Sequence, residues 1–86
     1  MNNITLLDLL KILYKDEMVK IYMERPHKSE GYMYITTTTP EEIFKDDELD
    51  YLLDNEIRVV TAEIRHDSDY GFVLQITLKE IPNESE

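Results

Sequence analysis

The spacing of hydrophobic residues in the first half of the chain predicts one helix followed by a β-hairpin. Residues 5–14 carry leucines at the spacing of a single helix face, and Thr5 and Asp8 have the spacing of a capping box at its start. Apolar and polar residues then alternate over 18–24 and again over 32–38, as in strands with one buried face. Pro26 and Gly31 interrupt the polar segment between them, which indicates a loop.

The second half repeats this order. Thr39 and Pro40 are typical of a helix cap and a first helical position, and the apolar pattern extends a second helix to about residue 54. This helix is either continuous through Asp46 or kinked or interrupted at Lys45-Asp46-Asp47, where Asp47 could cap a second short helix. Alternation then predicts strands over 57–66 and 72–79 around an Asp-rich turn. In the first of these strands, the residues expected to face the core are Val60, Ala62 and Ile64, with Val59 outward.

This αββαββ order defines the expected fold class, which is α+β. The simplest architecture is a four-stranded, mainly antiparallel sheet with both helices packed on one face. The 86 residues are enough for one domain, assigned to 1–81, and the acidic tail 82–86 is expected to fray. The N-terminus lacks the basic start and cleavage site of a signal peptide, and no apolar run approaches the ~20 residues of a membrane span. The chain has no cysteine, which together with these features favours the cytoplasm.

Charge distinguishes the two halves. Of the net charge of −10, residues 1–43 contribute −2 (five Lys/Arg against seven Asp/Glu) and residues 44–86 contribute −8 (four against twelve). A surface of this sign repels nucleic acid and anionic membranes and attracts basic proteins. The densest acidic run consists of Asp46, Asp47, Glu48, Asp50, Asp54 and Glu56. This run is either a solvated helix face or a patch that binds a basic cleft, since carboxylates along a helix can approach the phosphate spacing of DNA.

Tyrosines form a second candidate surface. If Val19 and Ile21 face the helices, the residues on the open face of the sheet include Tyr22, Tyr32 and Tyr34. These side chains either only stabilise cross-strand pairs or provide a flat surface for a partner or for a second copy of the chain. A platform for single-stranded RNA would need more basic residues around it than this acidic chain supplies.

No catalytic residue, cofactor or metal is predicted. His27 and His66 lie in or beside predicted turns, where histidines are commonly solvated, and the chain has no phosphate-binding loop or nucleophile motif. Asp67 and Asp69 have the spacing of the first ligands of a calcium loop but lack its downstream Gly and Glu. Their simpler role is to accept hydrogen bonds from backbone amides in a turn. The chain is therefore interpreted as non-enzymatic.

Three passages of the chain carry a resemblance: Leu6-Leu7-Asp8-Leu9-Leu10, Val19-Lys20-Ile21-Tyr22 and Leu52-Leu53-Asp54-Asn55-Glu56-Ile57-Arg58-Val59-Val60. They resemble passages of small uncharacterised acidic proteins encoded by phages and prophages of Firmicutes. Small acidic phage proteins of this size include anti-CRISPR inhibitors, some of which mimic DNA. The resemblance therefore implies a phage or mobile-element protein that inhibits a nucleic-acid-binding defence protein of its host, and it assigns no site residue.

Charge and resemblance together predict a protein–protein interaction module. The expected partner is a host protein with a basic surface, which the acidic run would bind, without direct binding to nucleic acid or to a membrane. The alternative is a small structural or assembly protein that self-associates, for instance as a homodimer, through its tyrosines. Light scattering distinguishes the two: a monomer favours the first, whereas a dimer that is lost on Tyr22→Ser or Tyr34→Ser favours the second.

Overall fold

The computed structural model describes residues 4–24, 31–54 and 57–80, and these have the predicted α+β architecture. Its elements, in chain order, are α1 (Leu6–Ile12), β1 (Val19–Glu24), β2 (Tyr32–Thr38), α2 (Pro40–Lys45), a 3₁₀ helix (Asp47–Leu53), β3 (Ile57–Asp67) and β4 (Gly71–Glu80). The loop that contains His27, the acidic residue Glu56 and the tail 82–86 lie outside the described residues.

The four strands form one sheet in the order β2-β1-β4-β3. The two hairpins, β1–β2 and β3–β4, are antiparallel as predicted. The central strands β1 and β4 are parallel, with Val19 opposite Leu74 and Met23 opposite Leu78. The sheet is therefore mixed but mainly antiparallel, and its two edges are β2 and β3.

The first helix begins with the predicted capping box. The hydroxyl of Thr5 accepts a hydrogen bond from the Asp8 amide at 3.1 Å, and the Asp8 carboxylate accepts one from the Thr5 amide at 3.5 Å. The helix ends at Ile12, because Leu13 has an extended backbone (φ −92°, ψ 156°). A helix this short depends on packing for its stability, and Leu6 and Leu10 supply it by burying their side chains.

The second helical segment breaks at Asp46. Thr39 caps α2 as predicted, with its hydroxyl accepting from the Glu42 amide at 3.3 Å. Asp46 then leaves the helical conformation (φ −96°, ψ 112°), and its carboxylate accepts from the Glu48 amide at 2.9 Å. The cap of the second segment is thus Asp46, one residue before the candidate Asp47. The segment that it starts is a 3₁₀ helix, which is more tightly wound than the α-helix that was predicted.

The hydrophobic core lies between these helices and one face of the sheet. Leu52 anchors the 3₁₀ helix in it, and Ile21 and Ile76 form its floor on the two central strands. Fully burying a side chain of this kind stabilises the fold by roughly 1.5–3 kcal/mol. The buried members of the core are Leu6, Leu10, Val19, Ile21, Ile43, Leu52, Ile57, Val59, Ile76 and Leu78.

The predicted facing of Val59 and Val60 is wrong, because a β-bulge at Val60 shifts the alternation of β3 by one residue at that point. Val59 lies opposite Leu78 and Thr61 lies opposite Thr77, so Val60 has no partner of its own. Val59 is consequently buried, whereas Val60 is 42% exposed. Beyond the bulge, Ala62 and Ile64 do point to the helix side of the sheet, but both are exposed because little of the described chain covers this end of the hairpin.

Two isoleucines on the helices provide a matched test of where the core lies. Ile43 on α2 is fully buried, whereas Ile12 on α1 is 76% exposed. We expect Ile43→Ala to lower the free energy of unfolding by about 2–4 kcal/mol, because it leaves a cavity, and Ile12→Ala to change it by less than about 0.5 kcal/mol. Urea denaturation monitored by circular dichroism measures both, and equal losses would contradict the packing described.

Candidate functional site

The described part of the acidic run occupies the 3₁₀ helix and its two caps. We use the name acidic surface for its five described members, all of which are exposed to solvent: Asp46, Asp47, Glu48, Asp50 and Asp54. The segment projects these side chains outward because Leu52, at the centre of the same helix, is fully buried and Leu49 is partly buried. The structure therefore brings these acidic residues together on one exposed segment.

The 3₁₀ geometry sets how these carboxylates are spaced. Residues three apart lie above one another in such a helix, so Asp47 and Asp50 form one outward row and Glu48 begins the other. With a rise of about 2.0 Å per residue, the stretch from Asp46 to Asp54 is about 16 Å long and carries one carboxylate per about 4 Å. One strand of duplex DNA carries a phosphate every ~3.4 Å, so the two densities are comparable.

The neighbouring cations leave most of this charge uncompensated. The ion pairs among the described residues are Lys20–Asp67, Lys45–Glu41 and Arg65–Glu63. None of them includes Asp47, Glu48 or Asp50. Lys45, the nearest cation in sequence, donates instead to Glu41 on its own helix at 3.2 Å.

Two aromatic side chains are exposed in the same part of the chain. Phe44, at the end of α2, is 47% exposed, and Tyr51, within the 3₁₀ helix, is 51% exposed. Tyr51 lies in the outward row that begins at Glu48. Aromatic residues are enriched where proteins bind one another. The position of Tyr51 in the same row as Glu48 was not predicted from the sequence, although the two residues are three apart, which is the repeat of a 3₁₀ helix.

The tyrosine face is the second site predicted from sequence, and the structure brings two of its three residues together. Tyr22 and Tyr34 lie opposite each other on β1 and β2, and their rings pack edge to face with centroids 5.7 Å apart. The Tyr34 hydroxyl shares a hydrogen bond of 2.7 Å with the Thr37 hydroxyl. Tyr32 lies further along β2, opposite Glu24, and is 58% exposed.

An open pocket of about 360 Å³ adjoins these rings. Its lining includes an ion pair, in which the Lys20 ammonium donates to the Asp67 carboxylate at 2.9 Å. Sequence inspection missed this pair, because 47 residues separate the two and only the sheet topology brings them together. The lining residues are Lys20, Tyr22, Tyr34, Thr37, Asp67, Asp69 and Tyr70.

The turn between β3 and β4 holds Asp67 in place. Its second carboxylate oxygen accepts hydrogen bonds from the amides of Asp69 at 2.8 Å and Tyr70 at 3.2 Å, which is the capping role expected of an Asp-rich turn. Gly71 completes the turn with φ +82°, a conformation that favours glycine. In the described ranges, no three acidic or histidine side chains lie close enough together to hold a metal ion.

The ion pair shifts the pKa values of both partners. The hydrogen bond from Lys20, followed by that from the Asp69 amide, holds the pKa of Asp67 below its ordinary value of 3.8. The same hydrogen bond raises the pKa of Lys20 above 10.5, despite partial desolvation. Both groups are therefore charged at neutral pH, and the pair helps to fix the hairpin turn over the open face of the sheet.

Comparison with known protein families, with curated proteins and with solved structures finds no match for this chain. Within residues 4–24, 31–54 and 57–80, no helix is both long enough and apolar enough to cross a lipid bilayer. The function is therefore inferred from the exposed surfaces of the chain itself.

Loss of the Asp67 charge is predicted to reduce stability only where that carboxylate is ionised. A lowered folded-state pKa stabilises the fold above the unfolded-state pKa, and this contribution disappears as the pH falls through the lowered value. We therefore expect Asp67→Asn to be less stable than the wild type at neutral pH and to approach it in strong acid. Urea denaturation at a series of pH values measures this difference.

The matched control for this prediction is Asp69→Asn, which leaves the ion pair intact. Its free energy of unfolding should follow the wild-type pH dependence. A stability difference between Asp67→Asn and the wild type that stays constant from neutral to strongly acidic pH would contradict the assignment.

Proposed function

We propose that this chain is a non-enzymatic interaction module, of phage or mobile-element origin, that acts in the host cytoplasm by binding a basic protein. The observation that carries the proposal is the exposed segment 44–54. It presents Asp47, Glu48 and Asp50 outside the ion pairs of the described chain, beside the exposed rings of Phe44 and Tyr51.

This combination favours binding over mere solvation. A helix that only needs to be soluble commonly mixes charges of both signs and gains stability from pairs four residues apart. Segment 44–54 carries a single basic residue, Lys45, which bonds back to Glu41. Exposed aromatic side chains do not improve solubility, but they are frequent anchors in protein interfaces. Carboxylates around such an anchor would add fast, sign-selective association with a basic surface.

The class of partner follows from the spacing of the carboxylates. A cleft that binds nucleic acid presents Lys and Arg at intervals that match phosphates, and the acidic surface offers a similar linear density of negative charge. The resemblance to small acidic phage proteins points the same way. We therefore propose a nucleic-acid-binding defence protein of the host as the partner, with the chain acting as an inhibitor that occupies its nucleic-acid site.

Self-association through the tyrosine face has weaker support. Tyr22 and Tyr34 already pack against each other, and the pocket beside them holds the Lys20–Asp67 ion pair. Covering that pair would remove two charges from water, which is costly. Tyr32 and Tyr34, which are 58% and 52% exposed, are the tyrosines of this face that a second copy could contact, and Tyr34 adjoins that ion pair.

Displacement from immobilised DNA tests the proposed inhibitor role. Proteins of a Firmicutes host lysate are bound to duplex DNA on a resin, and the purified chain is added. We expect the wild-type chain to release a subset of them and the variant Asp47→Lys/Glu48→Lys/Asp50→Lys to release none, because its surface now repels basic clefts. Release should weaken as salt rises, since screening removes attraction between exposed charges.

The matched control reverses three acidic residues elsewhere, as Asp16→Lys/Glu17→Lys/Glu24→Lys, and so changes the net charge by the same amount. It should still release the bound proteins, and far-ultraviolet circular dichroism should show both variants folded. Equal release by the wild type and by the acidic-surface variant would contradict the proposal, as would the absence of release by the wild type at low salt.

A further inference from the structure

The free edge of β3 has a feature that the proposed function does not use. We propose that β3 pairs with β3 of a second copy of this chain, antiparallel and about a two-fold axis that passes midway between Ile64 of the two copies. The two sheets would then join edge to edge into one continuous sheet. The inference stands independently of the acidic surface, which lies on the 3₁₀ helix.

The edge is covered only at its beginning. The Ile4 carbonyl accepts a hydrogen bond from the Val59 amide at 2.9 Å, and Thr5 bridges Arg58. Beyond the bulge at Val60, none of the described residues pairs with β3 on the side away from β4. The segment 61–67 is therefore an open edge, which natural proteins usually cover or block.

The backbone of Ile64 points toward this open edge. Leu74, its partner on β4, donates its amide to the Met18 carbonyl at 3.1 Å, on the side of β1. Leu74 therefore faces away from β3, and Ile64–Leu74 is a pair without mutual hydrogen bonds. By the alternation of the ladder, Ala62, Ile64 and His66 direct their backbone groups outward, enough for about six hydrogen bonds to an antiparallel copy.

The charges on this edge are self-complementary. With Ile64 opposite Ile64 of the copy, Glu63 of each chain lies opposite Arg65 of the other. Moving the axis by one residue, to Glu63 or to Arg65, would place like charges opposite each other. Within one chain Glu63 and Arg65 already form an ion pair of 2.7 Å on the same face of β3, so both side chains are placed where the copy would meet them.

Apolar exposure and local charge favour the same pairing. Ile64 is 64% exposed and Phe72 is 71% exposed on the helix side of the hairpin, and the copy would cover part of this area. The open edge 61–67 carries Arg65 against Glu63 and Asp67, a net charge of −1 out of the −10 of the whole chain, and Asp67 is itself paired with Lys20. This edge is therefore a place where two acidic molecules can meet without strong local repulsion.

Sedimentation analysis over a wide range of protein concentration tests the pairing. We expect a wild-type dimer, and a dissociation constant raised about tenfold or more by Glu63→Arg, because the two-fold axis repeats the new Arg–Arg contact. The double variant Glu63→Arg/Arg65→Glu restores opposite charges across the axis and should recover the dimer. The control Asp16→Arg makes the same change in charge at an exposed position outside β3 and should dimerise like the wild type.

Several results would overturn the pairing: a wild type that remains monomeric, a dimer that is indifferent to Glu63→Arg, or a double variant no better than the single one. A dimer that is lost on Tyr22→Ser but not on Glu63→Arg would overturn it in favour of the tyrosine face. Amide hydrogen exchange of the wild type adds a test that needs no variant. The Ile64 amide should become protected as concentration rises, and free exchange at high concentration would refute the pairing.

Discussion

The parallel pairing of β1 with β4 is the constraint on which the rest of this structure depends. Each half of the chain contributes helical segments and a hairpin, and the core is built from residues of both halves. Placing Ile21 beside Ile76 joins the hairpins and creates a floor on which α1, α2 and the 3₁₀ helix pack. The same pairing brings Lys20 within reach of Asp67, and it leaves β2 and β3 as the two edges of the sheet.

The arrangement separates three surfaces with different chemistry. The 3₁₀ helix carries the acidic surface together with exposed aromatic rings, the open face of the sheet carries tyrosines around an ion pair, and the open edge of β3 carries little net charge. Burial of Leu52, with Leu49 and Leu53 packed beside it, presents the acidic surface, because it leaves Asp47, Glu48 and Asp50 on the outward side of the 3₁₀ helix. Because of this separation, the proposed basic partner and the proposed second copy would contact different parts of the molecule.

Much of the fold was predictable because its signals are local. Thr5 with Asp8 and Thr39 with Pro40 mark the helix starts, and the span of β2 agrees with its alternation. The bulge at Val60 was not predictable, since it depends on pairing with β4 rather than on the residues of β3 alone. The Lys20–Asp67 pair was missed for the same reason, and the free edge of β3 could be recognised only once the strand order was known. The acidic run was visible in the sequence, but its 3₁₀ geometry was not.

The pairing of the two central strands can be measured directly by nuclear Overhauser spectroscopy on isotopically labelled protein. We expect backbone contacts that run in the same direction along Val19–Met23 and Leu74–Leu78, with Ile21 close to Ile76. Contacts that run in opposite directions, or their absence, would mean that the halves are joined differently, and the separation of surfaces described above would then be wrong.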